Sequence, residues 1–111
     1  MMMVEMLTNI FMATPRLQKF KEKIGVNKAE IEKKFRVKEI GIFGSYVRGE
    51  QNKNSDVDIL VDFHEPIGLF RFMDLEEYLE NLLKTKVDLV SQKALKPNIG
   101  GYIMREVQPI W

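Results

Sequence analysis

Two short apolar runs, and the residues at their ends, constrain this chain most. Val37 to Phe43 closes on Gly44-Ser45, and ten residues later Asp56-Val57-Asp58 opens onto Ile59 to Val61. Both runs read as strands, with the first ending at Gly44 and the second spanning Asp56 to Phe63 before Glu65-Pro66 breaks it. The small-residue turn then sits at the C-terminal end of one strand, and the carboxylates at the N-terminal end of the next. They can meet only if the two strands run antiparallel. Asp88, in Lys86-Val87-Asp88-Leu89-Val90, also lies near the start of a strand. To join the pair, the second and third strands must be parallel. Alternating strands and helices alone would suggest an all-parallel sheet. The ends of the strands ask instead for an α/β (α+β) fold: a small mixed sheet backed by helices.

The helices follow from periodicity. Thr14-Pro15 reads as an N-cap with proline at the first helical position, Leu17, Phe20 and Ile24 recur at helical spacing, and Gly25 closes the run. Asn27 and Glu30 resemble a capping box for a second short helix with Ile31 and Phe35 on its apolar face. Ser45 to Gly49 reads as a short helical turn and Gln51 to Ser55 as polar loop. Leu75, Tyr78, Leu79, Leu82 and Leu83 trace an amphipathic helix that starts between Ile67 and Asp74. Pro97 precedes a last helix around Ile99 to Val107, weakened by Gly100-Gly101. At 111 residues the chain reads as a single domain, 1–111, with its motif core over 37–90. Residues 1–13, Met-rich and without a basic region, read as a frayed N-terminus too short to span a bilayer. Nothing suggests export, so the expected location is the cytoplasm.

The absence of cysteine excludes disulfides and thiolate metal sites, and the single His64 excludes a His-rich zinc site. Any metal must be held by oxygen, which points to magnesium or manganese. With 17 Lys+Arg against 16 Asp+Glu, the net charge of +1 gives no global pull toward nucleic acid.

Alternation along a strand puts Asp56 and Asp58 on one face and Val57, Ile59 and Val61 on the other. Two carboxylates roughly 7 Å apart on one face repel each other, and a divalent cation removes that penalty. Asp88 from the neighbouring strand makes a third. Three acidic groups can hold two metals, one on a triphosphate and one on a nucleophile, with Asp88 best placed to take the attacking hydroxyl's proton. Taken alone, an Asp-x-Asp pair is more often the solvated face of a sheet. The Gly-Ser turn changes that balance. Gly44 lets backbone approach a phosphate, the amide and hydroxyl of Ser45 can donate to it, and Arg48 can pair with it or simply face solvent. Two rival motifs fail. Glu50 stands where a Walker-A lysine is required, and Val57 where an EF-hand loop needs glycine.

Gly-Ser, ten residues, Asp-x-Asp and a later Asp together resemble the minimal nucleotidyltransferases (MNT) of the DNA polymerase β-like superfamily. Gly44, Ser45, Asp56, Asp58 and Asp88 fit that pattern residue by residue. Arg48-Gly49 and Ser55 match features of the minimal subgroup, and Val47 departs from a common Ala. The likeness covers about 37–90. It implies a polymerase β-like core, with Asp56, Asp58 and Asp88 as catalytic metal ligands and Gly44, Ser45, Arg48 and Ser55 on the nucleotide. It also implies two magnesium ions, or manganese, and transfer of AMP from ATP. Members are typically antitoxins paired with HEPN toxin ribonucleases, a type VII toxin–antitoxin arrangement, and some place AMP on a tyrosine of the toxin.

A second reading is a binding-only antitoxin that occludes its partner around a vestigial or regulatory nucleotide site. A third is nucleotidyl transfer to RNA or a small molecule, which the lack of an acceptor domain and of a basic stripe disfavours. Tyr102 and Trp111 could stack on a base or a partner, or pack against the core.

Overall fold

The computed structural model describes residues 15–111; Thr14 and the Met-rich stretch before it lie outside them. The elements run α1 (Pro15–Val26), α2 (Lys28–Phe35), β1 (Val37–Phe43), a four-residue α3 (Ser45–Arg48), β2 (Val57–Phe63), α4 (Gly68–Leu83) and β3 (Val87–Ser91). A 3-10 turn at Gln92–Ala94, α5 (Pro97–Glu106) and β4 (Gln108–Pro109) complete the order. The four strands form one sheet in the order β3-β2-β1-β4. β1 is antiparallel to β2, and β2 is parallel to β3, as the placement of the glycine and the carboxylates demands.

Strand alternation divides the sheet into two unlike faces. Val57, Ile59 and Val61 are fully buried and meet Ile40 and Ile42 of β1, Val87 and Leu89 of β3, and the apolar stripes of α1, α2 and α4. Leu75, Leu79 and Leu83 of α4 and Ile31 and Phe35 of α2 supply those stripes at the expected spacing. The register of β1 slips between Val37 and Glu39, which returns Val37 to the core side alongside Ile40. The opposite face carries Asp58, Leu60 and Asp62, and the chain from α5 into β4 crosses it.

Three local expectations need correction. Gly25 does not close α1, which runs through it to Val26. The capping box at Asn27 does not form. The Asn27 side chain reaches back instead, and Nδ2 donates to the Lys23 carbonyl at 2.8 Å, satisfying a carbonyl in the last turn of α1. Glu30 is thereby left to accept a 3.1 Å hydrogen bond from the Tyr78 hydroxyl, tying α2 to α4. Strand β2 begins at Val57, so Asp56 stands just before it.

β4 was not expected. Its two residues pair antiparallel with Gly41 and Ile42 at the free edge of β1. The approach depends on Gly41, because a Cβ there would lie 2.8 Å from both the Gln108 carbonyl oxygen and Val107 Cγ2. Trp111 then packs against the core and its carbonyl accepts the Ile40 amide at 2.9 Å, so it serves packing; Tyr102 is exposed.

Candidate active site

The site is assembled at the junction of β1, α3 and the first residues of β2 and β3. Phe43 pairs with Asp58 across the antiparallel ladder, so the residue after it, Gly44, is delivered directly to the Asp58 carboxylate. A Cβ at Gly44 would lie 2.0 Å from Asp58 Oδ2, and its φ of 83° is one that side chains disfavour. Glycine is therefore needed here twice over, by contact and by conformation.

Gly44 also opens α3. Its carbonyl accepts the amides of Val47 and Arg48 at 3.0 and 3.1 Å, and Gly49, left-handed at φ 72°, ends the turn. As the first helical residue, Ser45 has no carbonyl inside the turn for its amide to reach. Tyr46 pins the turn from below. It is 1% exposed and meets Phe20 of α1 edge-on, with ring centroids 5.4 Å apart. Sequence reasoning missed Tyr46, although an aromatic inside a turn this polar was a usable signal.

Across from the turn, Asp58 and Asp88 are register partners on parallel β2 and β3, which places both side chains on the same face. Asp56 and Asp88 are exposed, and Asp58 is half-buried. The Asp58 carboxyl is pushed up to about 6, first by burial and then by the charges of Asp88 and Asp56; Arg48 pulls it down and Glu106 raises it further. Asp56 and Asp88 thus both bear on the Asp58 carboxyl. Among the described residues, no three His, Asp or Glu side chains are drawn tightly enough together to hold a metal ion unaided. This donor chemistry fits a magnesium-type ion, which takes one or two carboxylates and fills its remaining positions with phosphate oxygens and water.

The other predicted residues divide. Arg48 lies beside Asp58 but is held by two carboxylates: Nε donates to Glu50 at 2.9 Å and Nη1 to Glu106 at 2.6 Å. Ser55 closes the polar loop, its Oγ accepting the Asn52 amide at 2.9 Å and its own amide donating to the Asn52 carbonyl at 3.1 Å. Glu106, from the end of α5, is the acidic residue that sequence reasoning missed. Its Oε2 accepts the Gly44 amide at 2.8 Å.

Comparison with known proteins agrees with this geometry. A family profile described as nucleotidyltransferase domain matches residues 27–109. The chain is 50% identical over 96 residues to the protein adenylyltransferase MntA of Thermococcus cleftensis, covering 86% of this chain and 97% of that one. A solved structure described as a minimal nucleotidyltransferase superposes with a TM-score of 0.73 at 31% identity, covering 84% of this chain and 94% of the other. A likeness of fold alone, with TM-score 0.60 and 18% identity, extends to a structure of the tri-AMPylated HEPN toxin of Shewanella oneidensis in complex with its MNT antitoxin. It covers 82% of this chain and 71% of the other.

Proposed function

The chain belongs to the nucleotidyltransferase domain family, and on that premise we propose that it transfers AMP from ATP to a tyrosine hydroxyl of a partner HEPN toxin, acting as the antitoxin of the pair. The observation that carries this reading is the meeting of Gly44 with Asp58, with Asp88 its register partner on β3. The glycine turn then lies against Asp58, with Asp88 on the same sheet face and Asp56 just before β2. The 97% coverage of a relative named as a protein adenylyltransferase supports a protein acceptor, and the toxin complex of similar fold supports the partner.

In this reading Ser45 and the glycine turn receive the β- and γ-phosphates, with Arg48 as a further cation beside them. Asp56, Asp58 and Asp88 would hold the magnesium ions, which would supply neutralisation of charge on the triphosphate and on the attacking oxygen. The acceptor oxygen forms a bond to the α-phosphorus as the bond to diphosphate breaks, and its proton passes to Asp88. Ser55 acts indirectly, fixing the loop that delivers Asp56. The acceptor hydroxyl belongs to the partner in this reading. No described helix is long and apolar enough to cross a membrane.

The test is intact-mass analysis of a cognate HEPN protein after incubation with this chain, ATP and magnesium. Added AMP masses on tyrosine, absent with Asp56→Asn/Asp58→Asn, are expected. Neutralisation of the toxin by that double variant, without ATP, would establish the binding-only reading instead. Label appearing on RNA in place of protein would redirect the acceptor.

A further inference from the structure

Glu106 stands where a helix does not favour it. It is the last residue of α5, where a carboxylate meets the negative end of the helix dipole. A residue that breaks a local rule invites a search for what it reaches. Oε2 accepts the Gly44 amide at 2.8 Å, and Oε1 accepts Arg48 Nη1 at 2.6 Å. The side chain is only 13% exposed. Two oxygens of one anion are thus held by a backbone amide at the glycine turn and by a guanidinium, the donor pair that a phosphate would use. The placement is built into the fold. The bare Gly41 admits Val107 and Gln108 against the sheet, and this seats the preceding Glu106 over Gly44.

We propose that Glu106 is an internal competitor for the triphosphate: its carboxylate and a nucleotide phosphate claim the same two donors, and nucleotide binding displaces it. The inference rests on the nucleotide-transfer reading above and adds to it an element that sets affinity. It also ties the site to the C-terminal helix. The amide of Val107, next to Glu106, donates to the Ile103 carbonyl at 2.9 Å in the last turn of α5. Drawing Glu106 away strains that turn, so occupancy of the site is felt in α5.

The experiment compares wild type with Glu106→Gln, which keeps the shape and removes the charge. Calorimetric titration with ATP and with inorganic tripolyphosphate, both with magnesium, should show the variant binding each at least about fivefold more tightly, the scale of one like charge removed at about 4 Å with water-like screening. In the wild type, saturating tripolyphosphate should speed hydrogen exchange at the Val107 amide. Equal or weaker binding by the variant, or unchanged exchange at Val107, overturns the displacement. Should Glu106→Gln fail to fold, Glu106→Asp, whose shorter reach relaxes the hold on Gly44, must tighten binding in the same direction. ATP bound by wild type with no gain in the variant overturns this inference alone. Failure of both proteins to bind ATP overturns the nucleotide reading and this inference with it.

Discussion

Asp58 and Asp88 share one rung of the parallel ladder between β2 and β3. Residues paired in this way project to the same side, so the sheet itself sets two like charges against each other. The arrangement costs the fold stability, a local conflict in keeping with the metal-binding role proposed for both residues.

Asp58→Asn is expected to lower AMP transfer by roughly a hundredfold or more, the loss that follows when a metal ligand stops stabilising the transition state. The same change should stabilise the protein measured without divalent ions. Asp58 is half-buried, so solvent screening holds that gain to within about 1 kcal/mol. Thermal melts in a chelator, set beside a transfer assay, check both directions at once.

Titration of Asp58 gives a pH signature. Its carboxyl titrates near 6 in the folded protein, above the ordinary value of 3.8, so the folded state holds the proton more tightly than the unfolded chain does. Without metal, this group's contribution to stability is full below about pH 4 and is lost as pH rises through 6. Metal binding has the opposite sign, because only the ionised carboxylate is a ligand. The stabilisation by manganese, taken as the difference between melts with and without it, should be large at pH 8 and fall away below 6. A manganese effect independent of pH between 5 and 8 would contradict the assignment of Asp58.

Gly44→Ala meets two obstacles. The new Cβ must displace the Asp58 carboxylate, and the positive φ disfavours it. A loss of about 2 kcal/mol or more in denaturant unfolding is expected, with transfer abolished even where the protein remains folded.

Gly41→Ala tests a position remote from the carboxylates. Its Cβ would press on the Gln108 carbonyl and on Val107, unseating β4 at an expected cost of about 1–3 kcal/mol. Because Glu106 rides on the same crossing, the variant should also alter the Gly44 amide resonance in an ¹⁵N–¹H spectrum, beyond what the two intervening residues Ile42 and Phe43 would pass on along the strand.

The antiparallel and parallel pairings were legible from where glycine and aspartate stood relative to apolar runs, since a strand's ends and faces are fixed by its period. The burial of Val57, Ile59 and Val61 followed from the same rule. What escaped were features that depend on distant partners. β4 has two residues, one of them proline, and carries no periodic signal; it exists because Gly41 leaves room for it. Glu106 looks like any polar residue at a helix end until the chain crossing brings it to Gly44. Asn27 had the sequence of a cap but found a nearer acceptor in the Lys23 carbonyl, and local hydrogen bonds of that kind compete on nearly equal terms.

The outer amides of β3 are not left bare. Val87 donates to Glu80 Oε2 at 3.0 Å and Leu89 to Glu76 Oε2 at 3.1 Å, both from α4. An edge strand with two of its outer donors taken gives a neighbouring chain a poorer template to extend. A visiting protein can bring a hydroxyl up to the border strand that carries Asp88 and leave again without being zipped into the sheet. If, as proposed, the substrate is itself a folded protein, that keeps the encounter reversible and the product free to go.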